Sequence, residues 1–260
     1  MTRAYKTLLV RDEGAVHHIT LNKPERRNAI GPQMINELLY ALRDAFAADA
    51  TRSIVLTGAG KTFCAGGDFA QMQAGGDGDE LPIIGDYPAL LLAILRAPKP
   101  VVARVNGHAM GGGLGIVAAS TFAVASSEAM LGTPEIEVGL FPMMIMVVLA
   151  KHVPRRRLVE MMVFGERFAA DEGARLGIVN RVVAPDALDA AVAEITDQVA
   201  QKSPITVRLG LEAFFDQEDL GVERALPLLQ ERLGLCLGTD DAREGLTAFL
   251  EKRAPKWTGK

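Results

Sequence analysis

Apolar residues follow two rhythms along the first two thirds of the chain. Ala15–Leu21 (AVHHITL) alternates as a strand does and sets His17 and His18 on opposite faces. Pro32 opens a segment in which Met34, Ile35, Leu38, Leu39, Leu42 and Phe46 recur at helical spacing to about Ala48, and proline in a first turn marks a helix start. Ser53–Thr57 and Pro100–Val105 are short, nearly continuous apolar runs of the kind that form buried strands. Pro88 to Arg96 and Gly111 to Ser120 predict helices, Phe122–Ala125 a further strand, and Asn106-Gly107 a turn. Gly75 to Gly85 (GGDGDELPIIG) has the composition of a mobile loop. From Leu158 the pattern is mainly helical, with helices expected over Ala187–Gln201, Ile205–Phe215, Val222–Leu235 and Asp240–Lys252. Strands alternating with helices, followed by a helical tail, predict the α/β class. No linker rich in Pro, Gly or Ser divides the chain, and no short internal repeat is visible.

Composition narrows this further. With 260 residues, 49% hydrophobic and 23% charged, the chain can bury a large core, which excludes a disordered chain, a collagen and a coiled coil. A net charge of −4 gives no general pull toward nucleic acid. Cys64 and Cys236 cannot build a disulfide framework, and no CxxC or HExxH spacing suggests a metal. Leu140–Ala150, the longest apolar stretch, holds a proline and falls short of the ~20 residues that span a bilayer. The apolar run Thr7–Val10 meets charge at Arg11 to Glu13, too soon for a signal sequence. The expectation is a soluble, cytoplasmic protein with no metal, membrane or nucleic-acid partner.

Two glycine-rich segments each follow a buried strand: KTFCAGGD (Lys61–Asp68) and NGHAMGGGLG (Asn106–Gly115). Glycine permits positive φ and close approach of backbone, and a strand that opens into a helix points free N–H groups outward with the helix dipole behind them. Either segment alone reads as a tight corner. Neither is a dinucleotide fingerprint: GGGLG lacks the G-x-G-x-x-G spacing, and only Glu128 stands near the expected ribose position. No P-loop is present. Two N–H donors from two turns suggest a hole for a developing oxyanion.

LNKPERRNAI (Leu21–Ile30), IVLTGAGKTFCAGGDF (Ile54–Phe69), KPVVARVNGHAMGGGLG (Lys99–Gly115), LGTPEIEVGL (Leu131–Leu140) and the terminal TAFLEKRAPKW together resemble the enoyl-CoA hydratase/isomerase, or crotonase, family, in order and spacing from about residue 6 onward. The resemblance implies a spiral of ββα turns over residues 1–200 and a C-terminal helical trimerisation region over 201–260, parts of one functional unit. It implies acyl-CoA thioester substrates, with coenzyme A entering as part of the substrate and no separate cofactor, and a homotrimer or hexamer. It places the oxyanion hole at the backbone N–H groups of Gly67 and Gly112 and the acid/base at Glu135. Typical hydratases of the family set a second glutamate where this chain has Gly115, and a further acidic position falls near Met143, so Glu135 stands alone, with Glu137 its rival. Burial beside Phe141, Met143, Met144, Ile145 and Met146 would raise the Glu135 pKa.

Coenzyme A contacts are expected at Arg26, Arg27 and Ala29, along the backbone of Ala65, Gly67 and Asp68, and from a neighbouring subunit at Phe249 and Lys252. Met72, Met110, Phe141 and Met143 are candidates for the acyl pocket. His108 and Cys64 are expected to be structural, and Arg155–Arg157 a solvated helix start. The readings left open are syn hydration of a trans-2-enoyl-CoA, Δ3,Δ2-enoyl-CoA isomerisation by the single glutamate, and a catalytically weak acyl-CoA-binding protein.

Overall fold

The computed structural model describes residues 3–68, 71 and 81–260. Met72 and most of the Gly75–Gly85 loop lie outside the described residues. Two sheets organise the chain. The larger runs in the order β1-β2-β3-β5-β7-β10, made of β1 (Leu8–Glu13), β2 (Val16–Leu21), β3 (Ser53–Gly58), β5 (Val101–Val105), β7 (Phe122–Ser126) and β10 (Arg181–Val183). The β1–β2 hairpin is antiparallel and every other pairing is parallel. Parallel strands are covered on both faces, which is why β3 and β5 read as unbroken apolar runs. One face packs on α1 (Pro32–Ala47), α2 (Tyr87–Leu95) and α3 (Gly112–Ala119). On the other, Val55, Val102 and Val124 meet Leu188, Ala191, Val192 and Ile195 of the later helix α7 (Leu188–Ala200).

The smaller sheet has the order β4-β6-β8-β9, from β4 (Thr62–Cys64), β6 (His108–Met110), β8 (Met130–Gly132) and β9 (Arg167–Ala169). Each long strand runs into a short one: β3 into β4, β5 into β6, β7 into β8. The chain thus winds as a spiral of paired strands and helices, a structural repeat with no short sequence repeat behind it. Beyond β8 come α4 (Ile145–Leu149), α5 (Arg155–Phe164) and α6 (Ala170–Arg175), and the chain ends in α8 (Pro204–Gln217), α9 (Val222–Leu237) and α10 (Asp240–Leu250).

The α/β class and the long helices match the sequence reading to within a few residues. The structure adds strands to that reading. The region after Leu158 is mainly helical, as expected, with β9 and β10 set among its helices, and the N-terminal Leu8–Glu13 is a strand. The strands β4, β6, β8, β9 and β10 hold three residues each, too few for a period to register.

Asn28 fastens the segment before α1 to the β3–β4 corner. Fully buried and in the left-handed region (φ +53°), it donates from Nδ2 to the carbonyls of Ala59 (2.9 Å) and Thr62 (2.7 Å), and its Oδ1 accepts the Lys23 N–H (3.0 Å). Asn28→Ala leaves buried carbonyls without donors and puts a side chain unsuited to positive φ there. We expect a loss of about 3 kcal/mol, read as a lower urea midpoint at unchanged slope.

Candidate active site

Strands β4, β6 and β8 lie side by side and parallel, with Cys64 opposite Ala109, Ala109 opposite Leu131 and Met110 opposite Gly132. Gly67 follows the end of β4 by three residues, Gly112 the end of β6 by two, and Glu135 the end of β8 by three. All three leave the sheet at the same edge, beyond the carboxyl ends of neighbouring strands about 4.8 Å apart. The Gly111 N–H donates to Gly132 O at 2.9 Å and carries the β6–β8 ladder up to the start of α3.

Hydrogen bonding fixes how the two glycine amides point. Ile30 N–H donates to Gly66 O (2.8 Å), and Asp68 N–H donates to Ile30 O (2.9 Å). A trans peptide sets its N–H opposite its C=O, so the Gly67 N–H faces away from Ile30. By the same geometry Gly111 O accepts the Gly115 N–H (3.0 Å) inside α3, and the Gly112 N–H faces out of the helix start, along the favourable end of its dipole. Neither amide has a partner among the described residues. Gly67 and Gly112 are half-buried between fully buried neighbours. Gly111, at φ +50°, makes the turn between β6 and α3. A Cβ on Gly113 would stand 2.6 Å from Cys64 O, so glycine there lets α3 sit directly on β4.

Glu135 stands in the first turn of the short 3-10 helix Pro134–Val138. Its Oε1 is 2.7 Å from the point a Cβ on Gly111 would occupy, so the carboxylate leans over the turn that presents Gly112. Its Oε2 is buried and has no hydrogen-bond partner among the described residues. Burial pushes its pKa above the ordinary carboxylate value, offset in part by its own backbone N–H. Glu137 turns away to pair with Arg167 at 2.8 Å. The strand end is braced from beneath: Thr133 N–H donates to Glu166 O and Thr133 Oγ1 to Met161 O. Arg157 holds Glu166 (2.7 Å) and Glu160 (3.0 Å), so the solvated reading of Arg155–Arg157 is right for its first two members and wrong for the third.

The remaining expected residues divide. Arg26 pairs with buried Asp68 at 3.0 Å, and Arg27, exposed and left-handed at φ +51°, accepts the Ala65 N–H on its carbonyl. Ala29 N–H donates to Arg26 O. Segments 23–30 and 64–68 are therefore laced together, and the N–H groups of Ala65 and Asp68 are engaged within the chain. Met110 ends β6, with its carbonyl 3.3 Å from the position of a Cβ on Gly66. Phe141 packs against the core, whereas Met143 and Met144 are 64% and 50% exposed in the single chain. Phe249, 81% exposed, and Lys252 lie at the open end of α10. His108 is structural: its exposed ring accepts the Met130 N–H at Nδ1 (3.1 Å). Burial pushes the Cys64 thiol up to about 12, which removes it as a nucleophile. Tyr87, the first residue of α2, escaped the sequence reading although its hydroxyl donates to Gly112 O at 2.6 Å.

Among the described residues no group of three His, Cys, Asp or Glu side chains could hold a metal, and no helix is long and apolar enough to cross a membrane. The Gly67 and Gly112 amides, without partners among the described residues, and the Glu135 carboxylate, with its raised pKa, leave the sheet at one edge.

Known proteins share this arrangement of the chain. The sequence model of the family described as enoyl-CoA hydratase/isomerase matches residues 11–260. The chain is 31% identical over 250 residues to a short-chain-enoyl-CoA hydratase of Clostridium acetobutylicum, covering 95% of each. It is 31% identical over 264 residues to a crotonyl-CoA hydratase of Syntrophomonas wolfei, covering 99% of this chain and 100% of that one. The crystal structure of an enoyl-CoA hydratase from Mycobacterium smegmatis superposes with a TM-score of 0.90 at 36% identity, over 96% of this chain and 98% of that one. A match along nearly the whole chain, in sequence and in fold, makes this protein a member of the enoyl-CoA hydratase/isomerase family.

Proposed function

We propose that the protein adds water to a trans-2-enoyl-CoA to give a 3-hydroxyacyl-CoA. The observation that carries the reading is that two backbone amides and one buried oxygen of the half-buried Glu135 carboxylate, each without a partner among the described residues, follow neighbouring strand ends at one sheet edge. The thioester oxygen sits between the N–H groups of Gly67 and Gly112. Glu135, ionised, takes a proton from water as the water oxygen bonds to C3. The C2=C3 electron pair shifts toward the thioester, and its carbonyl oxygen becomes an enolate oxygen held by the two amides. C2 then recovers the proton from the Glu135 carboxyl, so one water has been added to one face and Glu135 is ionised again. Fixed N–H donors stabilise the enolate more than the neutral thioester, and that difference is the rate enhancement. Names of relatives support hydration, including those that act on short-chain and crotonyl thioesters.

Arg26 and Arg27 suit the phosphates of coenzyme A, since guanidinium–phosphate bonds are strong and charge-assisted. Phe214, Leu226, Leu233, Leu246, Phe249 and Leu250 leave an exposed apolar band on α8–α10, which supports assembly into a trimer or hexamer with Phe249 and Lys252 offered to a neighbour's ligand. Light scattering should give three or six chains, and Leu250→Glu should lower that number.

Glu135→Gln should abolish loss of the conjugated absorbance of crotonyl-CoA while coenzyme A thioesters still bind. A gain of that absorbance from a 3-enoyl-CoA, with no hydration, would assign isomerisation instead, and binding without either would assign a non-catalytic role. Because Glu135 works ionised and its pKa is raised, the acid limb of kcat/KM should lie above the ordinary glutamate value of about 4.3. Stability carries the same sign. The folded chain holds the Glu135 proton more tightly than the unfolded chain, so ionising it costs stability as pH climbs from the ordinary value through the raised one. Glu135→Gln removes that cost, and its thermal midpoint should gain on the parent's across this window.

Gly112→Pro removes one amide at a first helical position, where proline is tolerated. It should reduce kcat by about 100- to 1,000-fold. Gly112→Ala keeps the amide, and its Cβ meets Ile30 Cγ2 at 3.4 Å and the Tyr87 ring at 3.5 Å, so it should remain active.

A further inference from the structure

Glu135 can hold one hydrogen of an attacking water. The second must be held too if a lone pair is to stay aimed at C3, because a singly tethered water rotates. Gly115 offers nothing for that purpose. The reason is steric: a Cβ there would stand 2.4 Å from Tyr87 Oη and 2.5 Å from Ile145 Cγ2. The phenol oxygen of Tyr87 thus fills the volume that a side chain at 115 would enter. Its ring lies on the start of α3, with Cε2 and Cζ 3.5 Å from the position of a Cβ on Gly112, and its hydroxyl donates to Gly112 O at 2.6 Å. Glu135 leans over Gly111, and Tyr87 over Gly112 and Gly115. Two polar side chains, delivered by unrelated segments, close on the same helical turn.

The chemistry of the phenol restricts what it can do there. Burial holds it protonated well above the ordinary tyrosine value, and negative charge on Cys64 or Glu135 would push the same way. Its single hydrogen is committed to Gly112 O. A protonated phenol whose proton is engaged serves neither as acid nor as base. Its oxygen still accepts, since a hydroxyl has more lone-pair capacity than hydrogens.

We infer that Tyr87 is the second water-positioning residue of this site, its Oη accepting one hydrogen of the water whose other hydrogen goes to Glu135. The inference rests on the hydration reading above and adds the residue that takes the place Gly115 leaves empty. Tyr87 makes and breaks no covalent bond.

Tyr87→Phe keeps the ring and deletes only the oxygen. Two rates separate positioning from bracing. Hydration of crotonyl-CoA needs the water, whereas exchange of the C2 proton of butyryl-CoA in D2O needs only Glu135 and the two amides. In Tyr87→Phe we expect kcat for hydration to fall about 10- to 100-fold with KM nearly unchanged. C2-proton exchange, followed by mass spectrometry, should stay at the parent rate. Equal loss of both rates would reduce Tyr87 to a brace for α3, and undiminished hydration would remove it from the site; either result overturns the inference. Failure of the parent enzyme itself to hydrate crotonyl-CoA, with C2 exchange intact, would instead overturn the hydration reading.

Discussion

The parallel register of β4, β6 and β8 decides where Gly67, Gly112 and Glu135 stand. Each strand is three residues long, too short to be stable alone, and each is the continuation of a buried strand of the larger sheet. The larger sheet therefore sets the level at which the short strands end. Because the three run parallel, their carboxyl ends share one edge, and whatever follows each strand is brought to neighbouring positions there. In open α/β structures ligands gather at that edge for the same reason. A slip of one residue in the β4–β6 or β6–β8 pairing would turn a presented group to the opposite face. The hydrogen bonds from Gly111 to Gly132 O and from Thr133 to Glu166 O continue the pairing past the strand ends and guard against that slip.

The two amides need no side chain of their own. They are aimed through the carbonyls of their own peptide planes, Gly66 O held by Ile30 and Gly111 O by the Gly115 N–H. Two residues before Ile30, the Asn28 side chain ties the segment to the corner between β3 and β4. Orientation at one end of the site thus depends on a buried asparagine that faces no ligand. At the other end, Arg157 reaches Glu166, whose carbonyl holds Thr133, two residues before Glu135. Preorganised donors of this kind cost little reorganisation when charge develops, which is where their advantage over water lies.

Sequence and structure meet unevenly. Long periodic elements such as Pro32–Ala47 could be read from spacing, and buried strands from apolar runs, because periodicity reports burial over many residues. Gly67, Gly112 and Glu135 could be singled out because glycine-rich corners and the Pro134-Glu135 pair fall where the family pattern sets them. The three-residue strands that bring them together carry no period, so the sheet was invisible. Tyr87 was invisible for a different reason. It stands at an ordinary helix start, and its significance comes from Gly115, twenty-eight residues later, whose missing side chain leaves it room. Met143 and Met144 mislead in the opposite sense, apolar in sequence yet exposed on the chain. Apolar character shows only that a residue is wanted in contact with something, not that its own chain supplies the contact.

The partnerless Glu135 oxygen follows from these constraints. A buried carboxylate oxygen is ordinarily satisfied, and leaving it otherwise lowers stability. An internal donor would stabilise the fold and would also lower the pKa of the group, removing both the affinity for a proton and the open lone pair that proton transfer requires. Turning Glu137 outward to Arg167 shows the alternative within the same helix: a carboxylate two residues away, paired and exposed. The fold thus separates two neighbouring glutamates by environment alone. One is paired with Arg167; the other keeps an oxygen without a partner among the described residues.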